Sequence, residues 1–171
     1  PAPRDPPMKA VWQNWKAGAS FCEGCPGREA PYPLGGLGDP DSDLMLIAKE
    51  PAYSVDENTV HRDMSWPEAK RAIERDRRSN PNPLQRQMRT VADAAGLSGP
   101  ADLYFTNPAK CNDRKCSGRK GAGSSWEERY DHCQEYLLRE LETVSPSVLL
   151  LYGRYAIDVA FEAHGLDAPS K

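Results

Sequence analysis

Five cysteines are the residues of this 171-residue chain most able to do chemistry. Cys22 and Cys25 form a C-x-x-C, Cys111 and Cys116 lie together far downstream, and Cys133 follows. In a reducing compartment disulfides are disfavoured, and thiols grouped in this way point to metal or redox chemistry. Cys22, Cys25, Cys111 and Cys133 can supply four thiolates. A zinc site more typically shows two close pairs. An iron–sulfur cluster is also held by four Cys and tolerates one close pair with two isolated ligands. Cys133 alone, on the apolar stripe of a helix, reads equally as a buried thiol. Cys116 can replace Cys111 as ligand or stand as a free thiol in a loop. The segment 19–35, with Gly24, Pro26, Gly27, Pro31 and Pro33, is irregular enough to need something that holds it, and a metal would do so.

A second group of polar residues follows the stretch GLGDPDSDLMLIAKEPAYSVD, residues 36–56. A polar turn leads into the apolar run Leu44-Met45-Leu46-Ile47-Ala48. Five apolar residues without alternation suit a strand buried on both faces, as in a parallel sheet. Pro51 cannot donate to a ladder, so the strand must end before it. Lys49, Glu50, Tyr53 and Asp56 therefore fall just past a strand's carboxyl end, where open α/β sheets place their ligands. Further on, Lys110, Arg114, Lys115, Arg119 and Lys120 set five basic residues against one acid, Asp113. The interleaved Gly and Ser suit a flexible phosphate-binding loop.

The elements that position these groups follow from periodicity. Met8, Val11, Trp12 and Trp15 share a helical face that ends at Gly18. Trp66-Pro67-Glu68 opens a charged, exposed helix, and Leu84–Leu97 is amphipathic, with Gly96 as its stop. Asp102–Thr106 reads as a second strand. Ser125–Val144 reads as the clearest helix, with Tyr130, Cys133, Tyr136, Leu137 and Leu141 on one stripe. Val148–Tyr152 reads as a third strand and is followed by a helix to about His164. Apolar strands alternating with helices predict an α/β fold with a parallel sheet covered on both faces. The length suits one domain over 1–171. The net charge of −3 does not announce a nucleic-acid binder, so any basic surface must be local. No apolar run approaches the ~20 residues needed to cross a bilayer, and PAPRDPPMKAVWQNW lacks the apolar core of a signal peptide. The expectation is a cytoplasmic, monomeric protein without a membrane partner.

Four of these stretches, in this order, resemble the iron–sulfur uracil-DNA glycosylases of the family 4 and family 5 type. They are the N-terminal C-x-x-C; GLGDPDSDLMLIAKEPAYSVD beside the family's GEGDPDADLVLVGEAPGxxED; Thr106-Asn107-Pro108-Ala109-Lys110-Cys111 beside TN-x-x-KC; and Pro146–Gly153 beside P-x-V-(V/L)-x-L-G. The resemblance covers about residues 20 to 160. It implies a three-layer α/β/α sandwich whose central parallel sheet has about four strands, three of them evident here. It also implies a 4Fe-4S cluster on Cys22, Cys25, Cys111 and Cys133. The Lys110-Cys111 pairing favours Cys111, whereas the interval from Cys116 to Cys133 is closer to the family's spacing.

The resemblance further implies a DNA base-excision glycosylase that hydrolyses the N-glycosidic bond of uracil or a related deaminated base. Asn107 matches the residue that hydrogen-bonds the uracil edge, and Glu50 or Asp56 would orient the water. Lys49, Pro51, Ala52 and Tyr53 would line the substrate, and the basic residues from Lys110 to Lys120 would meet DNA phosphates. His61 and Trp66 are candidates for the aromatic that stacks on the base. Two departures stand out. Lys49-Glu50 replaces the family's acid, and its HPS-type turn after a fourth strand has no counterpart before Lys171. The alternatives are a non-catalytic iron–sulfur DNA-binding relative and a zinc-stabilised binding module.

Overall fold

The computed structural model describes residues 7–30, 32–48, 60–79, 81, 83–111 and 126–169. Along these the chain runs α1 (Pro7–Ala17), β1 (Leu37–Gly38), β2 (Leu44–Ala48), α2 (Trp66–Ser79), α3 (Pro83–Ala94), β3 (Tyr104–Thr106), α4 (Trp126–Val144), β4 (Val148–Tyr152) and α5 (Arg154–Ala163). The unbroken apolar run of β2 takes the centre of a four-stranded sheet ordered β1-β3-β2-β4. It pairs in parallel with β3, Leu46 opposite Phe105, and with β4, Leu46 opposite Leu150. Met45, Leu46 and Ile47 are at most 1% exposed. A strand flanked on both edges and covered on both faces has no use for alternation.

Side chains along the strands point alternately to the two faces. Leu46, Ala48, Phe105 and Leu150 pack with α1, α2 and α3 through Trp12, Trp66, Ile73, Met88 and Ala92. Met45, Ile47, Tyr104, Leu149 and Leu151 pack with Leu137 and Val144 of α4 and Ala156 and Val159 of α5. The mixed α/β class read from the sequence is therefore the class observed, with helices on both faces. No helix of the described residues is long and apolar enough to cross a membrane.

Three details differ from the sequence expectation. The sheet is not wholly parallel: Leu37 and Gly38 of β1 run antiparallel to Phe105 and Tyr104. Two residues are too few to carry a period, so nothing in the pattern announced them. β3 begins at Tyr104 rather than Asp102, because Pro100–Asp102 forms a 3-10 turn. That turn is closed by the Gly99 N–H donating to the Asp102 carboxylate at 3.2 Å. Finally, β4 is an edge strand despite its apolar sequence, with Val148 51% and Tyr152 44% exposed.

β1 can lie against β3 only because residue 38 is glycine. Gly38 has φ +89°, and a Cβ there would sit 1.9 Å from the Leu103 carbonyl oxygen. Gly99, with no atom within 4 Å of such a Cβ, provides the control. Gly38→Ala is expected to destabilise the fold by about 2–4 kcal/mol, combining backbone strain with displaced backbone. Gly99→Ala is expected to be near neutral. Chemical denaturation of both variants measures the difference.

Candidate metal centre and strand-end site

The C-x-x-C is shaped by two short turns. Cys22 ends the 3-10 turn Ser20–Cys22, and Cys25 caps the next, Pro26–Glu29. Cys111 lies just past β3, and Cys133 on α4. None of the four is in a disulfide, and all are buried, at 6–8% exposure. They occupy one neighbourhood. A Cβ on Gly27 would lie 3.0 Å from Cys111 Cβ and 3.5 Å from Cys25 Sγ, so this turn passes close over both. Burial first, then the facing thiols of Cys133, Cys22 and Cys25, pushes the Cys111 thiol well above its ordinary value. Burial likewise pushes Cys133 up to about 12, opposed by the Lys110 backbone N–H and reinforced by Cys25 and Cys22.

One face of α4 frames the thiols. Arg129, His132, Cys133 and Tyr136 follow the i, i+3, i+4, i+7 spacing of a single helical stripe. Arg129 donates to the Cys111 carbonyl at 2.9 Å, and a His132 ring nitrogen lies 3.0 Å from the Phe21 carbonyl oxygen. The Tyr136 hydroxyl is 3.9 Å from Cys22 Sγ and accepts from Asn14 at 2.7 Å. The Lys110 N–H donates to Cys133 Sγ at 3.5 Å. Among the described residues no three His, Cys, Asp or Glu side chains close on a single metal ion. Four thiolates around one zinc would stand ~3.8 Å apart, given Zn–S bonds of ~2.3 Å. The donor set, four soft thiols, is the ligand chemistry of zinc and of iron–sulfur groups alike.

The second part of the site lies at the carboxyl end of β3. Asn107 is fully buried, and its Nδ2 donates to the Ala48 carbonyl at 2.7 Å, joining the ends of β3 and β2. A carbonyl can only accept, which fixes the amide's orientation. Oδ1 is left buried without a hydrogen-bond partner among the described residues. Such an acceptor costs about 1–3 kcal/mol unless something donates to it.

Behind Asn107 is a buried ion pair between Lys110 and Glu140 of α4, both side chains 0% exposed. The Lys110 ammonium donates to Glu140 Oε2, to Thr106 Oγ1 at 2.6 Å and to the Asn107 carbonyl at 2.6 Å. Its three protons are thus all used. Glu140 also accepts from the Tyr104 hydroxyl at 2.9 Å and from Thr106. Burial and then Glu140 raise the Tyr104 phenol well above its usual value, keeping it a neutral donor.

The placement of Lys110 corrects the sequence reading, which put it at the head of a phosphate-facing loop. Its ammonium is sealed in the core by Glu140 and cannot reach a phosphate. Trp66 is likewise no base-stacking face: it is 3% exposed and lies against Trp12 with ring centroids 5.8 Å apart. His61 is exposed. Lys49, Glu50, Pro51, Ala52, Tyr53 and Asp56, together with Arg114, Lys115, Cys116, Arg119 and Lys120, lie outside the described residues. Glu140 and Arg129 were missed. Glu140 lies four residues after Tyr136 and seven after Cys133, so a carboxylate on the buried stripe of α4 was the available signal. A groove of about 610 Å³ along α2, lined by Glu68, Arg71, Arg75 and Asp76 among others, shares no residue with either part of the site.

Removing one member of a buried ion pair strands the other charge. Lys110→Met alone is therefore expected to cost about 3–5 kcal/mol of stability, read from denaturant unfolding; a cost below 1 kcal/mol would contradict the pairing. No protein-family model matches the chain, and a search of curated proteins found no match.

Proposed function

We propose that the chain is a DNA-repair glycosylase of the iron–sulfur uracil-DNA glycosylase type. In this reading a 4Fe-4S cluster sits on Cys22, Cys25, Cys111 and Cys133, at one end of a three-layer α/β/α sandwich. The observation that carries it is the pairing of the two sites. Four buried cysteines, none of them in a disulfide, gather around Cys111, and four residues earlier Asn107 holds a buried Oδ1 with no partner among the described residues, at the end of a central strand. When bound, the cluster supplies folding energy by cross-linking the Cys22–Cys25 turns to the end of β3 and to α4.

The chemistry falls to the chain's own residues. Extruding a base from the stack costs a few kcal/mol, and the base is then read on its Watson–Crick edge. Because the Asn107 amide is committed to Ala48, its Oδ1 presents an acceptor of fixed position. Uracil N3 carries a proton to meet it, whereas cytosine N3 carries a lone pair. Glu50 or Asp56 orients the attacking water; Lys49, Pro51, Ala52 and Tyr53 line the base. Arg114, Lys115, Arg119 and Lys120 neutralise phosphates. The partner is uracil-containing DNA, the protein acts as a cytoplasmic monomer, and Lys110 has no part in phosphate binding.

Alkaline strand cleavage of a labelled uracil-containing oligonucleotide, after incubation with the protein, tests this directly. Cleavage is expected, and Asn107→Ala should slow single-turnover excision by about 100-fold or more, the scale of one lost transition-state hydrogen-bonding group. Iron-loaded protein that leaves uracil in place would favour the non-catalytic DNA-binding relative, and zinc in place of iron the binding module. Cys25→Ser is expected to lose iron and melt at lower temperature; a variant with full iron and unchanged melting would remove Cys25 from the ligand set.

A further inference from the structure

We infer that Lys110, held by Glu140, is the positioning residue for Asn107. The purpose of this clamp rests on Asn107 being the base-contacting residue proposed above. Asn107 is fixed at two points: its side-chain Nδ2 on the Ala48 carbonyl at 2.7 Å, and its own carbonyl under the Lys110 ammonium at 2.6 Å. The first point sets the amide's orientation, and the second sets the backbone that carries it. The ammonium cannot drift, because its other two protons are taken by Thr106 Oγ1 and Glu140. The same residue's N–H lies on Cys133 Sγ at 3.5 Å, so one lysine ties the strand-end amide to the thiol neighbourhood.

Two further observations favour positioning over stability. A buried ion pair is a poor stabiliser, since well-packed apolar residues of similar volume often do as well or better. The approach of Gly35 shows the network fitted closely from outside. At φ +138°, a Cβ on residue 35 would lie 2.8 Å from Thr106 Oγ1 and 3.4 Å from Lys110 Cδ. The Leu34 N–H donates to the Lys110 carbonyl at 2.6 Å, bracing the lysine backbone as well.

The test is the double variant Lys110→Met/Glu140→Met, which removes the ammonium without stranding a charge, measured on full-length protein with wild-type metal content. The readout is solvent exchange of the Asn107 side-chain amide protons, assigned by their loss in Asn107→Ala. Their protection is expected to fall at least about tenfold while the amides of Leu46 and Leu150 in the central sheet keep theirs. The single-turnover excision rate is expected to fall about tenfold with KM unchanged. Unchanged Asn107 protection would overturn the clamp, and lost protection with an unchanged rate would overturn its role in positioning the base contact. If the double variant does not fold, Glu140→Asp draws the carboxylate back by one methylene with charge retained, and the same two readouts decide in the same way. Exchange is measured without DNA, so a wild-type protein lacking glycosylase activity would sink the proposed function while the clamp still stands or falls on its own readout.

Discussion

A buried ammonium must find three acceptors or not be buried, and that requirement organises the centre of this protein. Lys110 meets it with Glu140, Thr106 and the Asn107 carbonyl. In doing so it draws together the end of β3, the last turns of α4 and, through Gly35 and Leu34, the chain that leads into β1. Tyr104 adds a phenol donor to the same carboxylate. The cost of desolvating both charges is offset only while every partner stays in place. The network therefore tolerates little play, which is the property a strand-end binding residue needs behind it.

The thiol neighbourhood is built by the opposite means. Its backbone is a pair of short 3-10 turns closed by local bonds, Glu23 N–H to the Ser20 carbonyl and Ala30 N–H to the Gly27 carbonyl, held from one side by the Arg129–Tyr136 stripe of α4. Protonated thiols pack as small apolar groups, so the four cysteines can be buried together without charge. A metal group would convert them to thiolates and exchange protons for coordinate bonds, making binding energy into folding energy. The Lys110 N–H already donates to the Cys133 sulfur, and the Tyr136 hydroxyl lies 3.9 Å from that of Cys22.

How much of this was legible in the sequence depended on whether a feature was local. β2 and β4 match their apolar runs residue for residue, because each is bounded by turn-forming residues. α1 buries the Met8, Val11, Trp12 and Trp15 stripe that its spacing announced. β1 was not legible: it exists through one glycine's close approach to Leu103, a contact some 65 residues distant in the chain. Lys110 was misread for a related reason. Its neighbours in sequence are basic and polar, whereas its partner in space is Glu140, 30 residues later. Charge read along the chain describes a loop; charge read along the buried face of α4 would have found the pair. Asn107 and the four cysteines were picked out from residue type and motif, and the structure adds where they lie: the amide buried at the strand end, its acceptor without a partner among the described residues, and the thiols in one buried group.

The central claim is that these thiols hold an iron–sulfur cluster beside a base-reading amide. Its most direct test is iron and acid-labile sulfide, quantified together on protein purified without oxygen. The account predicts equal amounts, about four of each per chain. A preparation with zinc and no sulfide, or with the four thiols titrating as free cysteines in a fully folded protein, would contradict it.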